Sequence, residues 1–220
     1  MMTGIDLVHY LHIVAFAVIV GLELPVLYAV RLSRRTDVSA DAQALVAQVR
    51  RWSYAVSGLL LVTFLPFGVS IAIDIGVYTL MSPRWLTATW SVALAWLLIV
   101  LIAEVSGNAA FARRTYTTEI VLRFIIGLGH VYDGIVGFLG TGMIQTNWLA
   151  AKVVLFGLML MVSSLLRWQT RPLRFYKASD GAVEAEVLSA AHVKWGSYAI
   201  VAMALMAAWM GAIKPEIKPW

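Results

Sequence analysis

The sequence contains no cysteine. Disulfides, thiolate metal sites and iron-sulfur clusters are therefore excluded, and histidine, methionine and carboxylates remain as the only ligand chemistry. Charge is also scarce: 13% of the 220 residues are charged, against 61% hydrophobic, with mean hydropathy +0.82. A soluble domain cannot cover its surface with so little polarity, so the chain reads as an integral membrane protein in contact with the lipid bilayer. The net charge of +5 is no sign of nucleic-acid binding, because the basic residues cluster between apolar segments, as a topology signal requires. A cleavable leader is not expected either, since the first apolar segment lacks a basic start and exceeds the length of a signal core.

Six segments are long enough to cross about 30 Å of hydrocarbon, near residues 6–30, 53–78, 85–110, 119–143, 147–168 and 190–212. No two-residue alternation suggests a barrel, so the expected fold is all-α, a single transmembrane domain over residues 1–220 built as a bundle of six helices. Arg31, Arg34, Arg35, Arg50 and Arg51, then Arg113, Arg114 and Arg123, then Arg167, Arg171, Arg174 and Lys177 fall on one side. By the positive-inside rule that side is cytoplasmic and both termini lie outside, which points to a multi-pass protein of a bacterial inner membrane. Val38 to Arg51 reads as a short amphipathic helix on the cytoplasmic side, and Pro172 to Glu186 as a polar connector. PRWLTATW from Pro83 resembles TNWLAAKV from Thr146, which suggests that helices two and three repeat as helices four and five.

Polar residues inside apolar spans are costly and are the places to look for function. On the first helix His12, Phe16, Ile19 and Glu23 share one face. His9 and His12 read as interfacial residues or as ligands. Glu23, followed by Pro25, reads as a carboxylate paired with an arginine near the cytoplasmic face, or as a proton-transfer group. The fourth helix, FIIGLGHVYDGIVGFLGTG, sets Gly127, His130, Gly134 and Gly137 on one face with Asp133 beside His130. Glycines around an intramembrane histidine admit a flat macrocycle, or else simply let helices pack closely. Asp133 is placed to hold the second ring nitrogen of His130. Lys152 either snorkels outward or offers its charge to an anionic group. Asp74, Glu104 and His192 read as boundary residues. Counted from the expected span ends, His12 and His130 lie several Å apart in depth.

LHIVAFAVIVGLELPVLYAVR, RRWSYAVSGLLLVTFLPFG, WLAAKVVLFGLMLM and AIVAMALMAAWMGAIKP resemble helices of the small bacterial protoporphyrinogen IX oxidase family, and the copper-resistance D membrane proteins share the general pattern. The resemblance implies haem b as cofactor, with the first-helix histidine at His12 as a ligand and the required lysine at Lys152. That family has four spans rather than six, and the His-His pair that ends its lysine-bearing helix is Ser163 and Ser164 here. The resulting expectation is a membrane redox protein of the haem-dependent oxidoreductase kind, with His12 and His130 as axial ligands, Lys152, Asp133, Gly134 and Gly137 around the cofactor, and a quinone or porphyrinogen as electron partner. The alternatives are copper or other metal transport through His9, His12, His130 and methionines, or an accessory subunit of a larger membrane complex or homo-oligomer.

Overall fold

The computed structural model describes residues 4–32, 39–79, 83–106, 108–175 and 191–213. These form six helices: α1 (Gly4–Leu32), α2 (Ala40–Asp74), α3 (Pro83–Val105), α4 (Ala109–Phe138), α5 (Asn147–Phe175) and α6 (Ala191–Ile213). Each contains a stretch long and apolar enough to cross a membrane. The all-α expectation holds, and the chain is a multi-pass membrane protein. We call the end of the bundle that carries Gly4, Asp74, Phe138, Asn147 and Ile213 the outer end, after the orientation that the arginines predict.

Each helix packs on its neighbour in sequence, α4 on α5 most extensively, and α6 packs back on α1. The result is a closed ring of antiparallel helices, the arrangement that short connections favour. Its centre is filled by Ile19, Leu61, Val62, Ala93, Trp96, Val100, Met159, Leu160 and Ala204. Leucines, valines and tryptophans point outward along every helix, because hydrocarbon rather than water covers that surface.

Helix ends differ from the sequence expectation where capping chemistry decides them. Ser39 accepts a hydrogen bond from the Ala42 N–H at 3.3 Å, and from there α2 runs unbroken to Asp74. The separate amphipathic helix expected over 38–51 is therefore the first three turns of α2 from Ala40 onward. Asn108 accepts from the Phe111 N–H at 3.0 Å and starts α4 ten residues earlier than expected. The connector expected from Pro172 opens as helix, since α5 continues to Phe175, while its remainder lies outside the described residues.

The two outer turns share one geometry. After α2, Gly76 donates to Ile73 O and Val77 to Ala72 O; after α4, Gly140 donates to Gly137 O and Thr141 to Val136 O. Both are Schellman endings with a left-handed glycine, at φ 74° for Gly76 and 70° for Gly140. The two turns then clip together, Thr79 N–H to Met143 O at 2.8 Å and Gln145 N–H to Val77 O at 2.9 Å. Two hairpins with the same turn, joined side by side, are what a duplicated α2–α3 unit would produce.

Candidate functional site

The outer half of the ring brings His12 and His130 to one level. His130 lies eight residues inside Phe138 (138 − 130), about 12 Å from the outer end of α4, and the ring contacts through Phe64 and Phe156 set His12 near that level. The depth difference expected from sequence disappears because the Gly140 turn ends α4 at Phe138 rather than near residue 143. The imidazoles are nevertheless not adjacent. His12 packs on Phe64 with centroids 4.5 Å apart, Phe64 stacks on Phe156 at 6.2 Å, and Phe156 meets His130 edge-on at 5.2 Å. Two phenyl rings from α2 and α5 stand between the two histidines.

The histidines are prepared differently. His130 Nδ1 lies 2.8 Å from Ile126 O of its own helix. That carbonyl can only accept, so Nδ1 carries the proton and Nε2 is left with its lone pair. The role expected of Asp133 is thus taken by a backbone carbonyl. His12 Nδ1 is buried without a hydrogen-bond partner, an uncommon state for a ring nitrogen. His9, one turn further out and half-buried, and Lys152 both act electrostatically on His12.

Lys152 extends toward the outer end of the bundle, between Trp148 of its own helix and Gly211 of α6, which is the direction of the snorkelling alternative. Its Nζ lies 5.8 Å from the Trp148 ring centroid. A Cβ built on Gly211 would meet only Lys152 atoms, with Nζ at 2.8 Å. The glycine at 211 leaves room for the ammonium.

The glycines of α4 are accounted for by packing. A Cβ at Gly127 would sit 2.8 Å from Gly157 O, one at Gly134 2.8 Å from Ala150 O, and one at Gly137 3.3 Å from Ala150 Cβ. The space in front of Gly127, Gly134 and Gly137 is occupied by α5, which is the helix-packing alternative rather than the macrocycle one. Asp133 lies at the half-buried outer end of α4 and acts on Tyr78 in the neighbouring turn. Burial, and then the Asp133 charge, push the Tyr78 hydroxyl up to about 12, so it stays protonated and donates to Met143 Sδ at 3.6 Å.

A second polar cluster, in the inner half, escapes the sequence reading. Arg123 and Arg167, counted there among loop arginines, are 0% and 3% exposed, and Glu119 is 0% exposed. Arg123 donates from Nε to Glu119 Oε1 at 2.7 Å, from Nη2 to the same oxygen, and from Nη1 to Ser163 Oγ at 3.2 Å. Arg167 donates to Tyr54 O at 3.2 Å and to Glu104 Oε1 at 3.3 Å. Its Nε lies 3.1 Å from Glu119 Oε2, an ion pair by distance in which the N–H is not aligned as a hydrogen bond. Glu104, read as a boundary residue, is a member of this network. Gly58 on α2 makes room for it, since a Cβ there would sit 2.8 Å from Arg167 Nη1. Ser163 and Ser164, which stand where the resembling family carries two histidines, serve the same region: Ser164 donates to Ile120 O at 2.7 Å. The sequence signal was the Glu119–Arg123 spacing of four, which places opposite charges on one helical face.

Compared with known protein families, characterised proteins and solved structures, the chain matches none.

Haem b was the cofactor that the resemblance implied, with His12 and His130 on one iron. Both nitrogens of an axial pair must reach a common metal, and Phe64 and Phe156 lie between them. The arrangement does not fit a haem shared by these two histidines. Among the described residues no group of three or more histidine, aspartate or glutamate side chains could hold a metal ion.

Proposed function

We propose that the protein is a quinone-binding redox component of a bacterial inner membrane, with its site in the outer half of the ring between α1, α2, α4 and α5. The observation that carries this reading is the pair of histidines at one depth on either side of the Phe64–Phe156 stack. A quinone head is flat, so it stacks on phenyl faces, and it does not need both imidazoles within bonding distance of one atom. Its carbonyl oxygens accept hydrogen bonds in the oxidised form, and its hydroxyls donate in the reduced form. His12, whose Nδ1 is unpartnered, and the Lys152 ammonium can donate to a carbonyl. His130 Nε2, fixed as an acceptor by the Nδ1 bond to Ile126 O, can receive a quinol hydroxyl. The hydrocarbon around the helices is also the phase in which such ligands dissolve.

The test is a titration of the purified protein in nanodiscs with a short-chain ubiquinone analogue, followed by tryptophan quenching. Saturable binding that weakens at least tenfold in His12→Ala supports the proposal. Unsaturable, variant-independent quenching contradicts it. A reduced-minus-oxidised haem band that disappears in His12→Ala would replace the quinone reading with the haem one.

A further inference from the structure

Away from the outer site, the seam between α1 and α6 holds two buried polar atoms, Glu23 Oε2 and Ser197 Oγ, that no other described residue satisfies. Glu23 is 4% exposed and Ser197 0% exposed. Glu23 Oε2 and Ser197 Oγ are both buried without an aligned hydrogen bond, although Ser197 is close enough to act on the carboxyl. Glu23 was expected to pair with an arginine; among the described residues no arginine or lysine forms an ion pair with it.

The neighbouring charges are accounted for on both elements packed against α1, which are α2 and α6. On α2, Arg51 is exposed at the inner end and Tyr54 gives its carbonyl to Arg167. On α6, the Lys194 ammonium lies over its own helix's aromatics, 5.4 Å from Trp195 and 5.9 Å from Tyr198. Tyr28 on α1 itself is exposed. Among the described residues the side chain acting on Glu23 is Ser197.

A carboxylate withdrawn from water without a cation beside it is so costly that the group takes up a proton or binds a cation. A bound calcium or magnesium ion needs about six or more oxygen ligands, and among the described residues the seam presents the carboxyl, the Ser197 hydroxyl and the Gly21 carbonyl freed by Pro25. We infer that Glu23 is a membrane-embedded proton-binding site, with Ser197 as its hydrogen-bonding partner and exchange with the inner face. Glu23 lies five residues from Tyr28, the inner end of the apolar stretch of α1 (28 − 23), or about 7.5 Å of helix. Pro25 lies on that path. Its ring removes the N–H that would bond Gly21 O, which weakens the helix backbone on the inner side of the carboxyl.

The full chain in nanodiscs tests this with two readouts. Dicyclohexylcarbodiimide enters from lipid and modifies protonated carboxyls, and peptide mass spectrometry then locates the adduct. Infrared difference spectra between wild type and Glu23→Gln report the carbonyl stretch of a protonated acid and do not depend on access by the reagent. The expected result is an adduct at Glu23 that declines as pH rises, with Glu104 and Glu119 unmodified because arginines pair them, and an acid carbonyl band missing from Glu23→Gln. Identical infrared spectra for the two proteins would overturn the proposal. So would protection of Glu23 from the reagent by sodium, which would make the site a cation site instead.

Discussion

The two halves of the ring use intramembrane polarity in opposite ways. In the inner half, Glu104, Glu119, Arg123 and Arg167 balance in charge and satisfy one another across α3, α4 and α5, with a further bond to the α2 backbone. In the outer half, His12 keeps an unpartnered nitrogen, His130 keeps a lone pair, and Lys152 lies across a glycine. A network of buried ion pairs adds rigidity and commits its charges to one another, even where Arg167 Nε and Glu119 Oε2 meet without an aligned hydrogen bond, whereas groups held in place with bonding capacity to spare are what a ligand requires. The comparison sets a charge-paired framework in the inner half against histidines with bonding capacity in the outer half, while Glu23, also in the inner half, stands on the α1–α6 seam outside that framework.

The largest test of that division is Arg167→Leu. Removing this guanidinium takes away the ion pairs to Glu104 and to Glu119 Oε2 and leaves Glu119 to Arg123 alone, and breaking a buried pair in this way costs about 3–5 kcal/mol. Unfolding in a denaturing detergent titration should show a loss of that size. A change below about 1 kcal/mol would make the inner network no more than a set of weak surface-type pairs.

Much of this was legible in the sequence, for identifiable reasons. Six apolar stretches near twenty residues leave few alternatives to six helices, because lipid forces each span to close its own backbone bonds. His12 and Lys152 stood out as polar residues in apolar runs, and both lie in the outer half. Arg123 and Arg167 were misplaced because an arginine near a span end carries the same topology signal whether it faces water or an acidic partner; only the packing of α3 against α4 brings Glu104 to Arg167. The separation of His12 from His130 was also hidden, since Phe64 and Phe156 come from two other helices and nothing in either local pattern shows them meeting.

The α4–α5 seam offers a second, smaller effect. Gly157→Leu must displace the Gly127 backbone and Val131, so the α4–α5 contact should weaken by about 1–3 kcal/mol, as overpacking does. Gly129→Leu is its control, because no heavy atom lies within 4 Å of its Cβ position, and its effect should stay within about 0.5 kcal/mol. Equal losses in the same detergent titration would remove the distinction between a packed and a lipid-facing glycine.

His12→Ala reverses the pattern of Arg167→Leu. It should weaken binding of the quinone analogue at least tenfold while costing no more than about 1.5 kcal/mol of stability, the scale of the lost contact with Phe64. A variant that unfolds as readily as Arg167→Leu would place His12 in the framework instead.

Gly211→Ala is the smallest perturbation. Its methyl group displaces only the flexible end of Lys152, so stability should change by less than about 0.5 kcal/mol while binding of the analogue weakens. Combined with Lys152→Met it should add nothing further, because both changes act through one ammonium. Additive losses in the titration would show that Gly211 acts by another route.

Hydrogen exchange on the wild-type protein in nanodiscs, with and without the quinone analogue, tests the division of the ring most directly. The account predicts added protection in the outer turns around His12, Phe64, His130 and Phe156, with exchange around Glu119, Arg123 and Arg167 unchanged because those turns are already locked. Protection confined to the inner turns, or no change in the outer ones at saturating ligand, would contradict it.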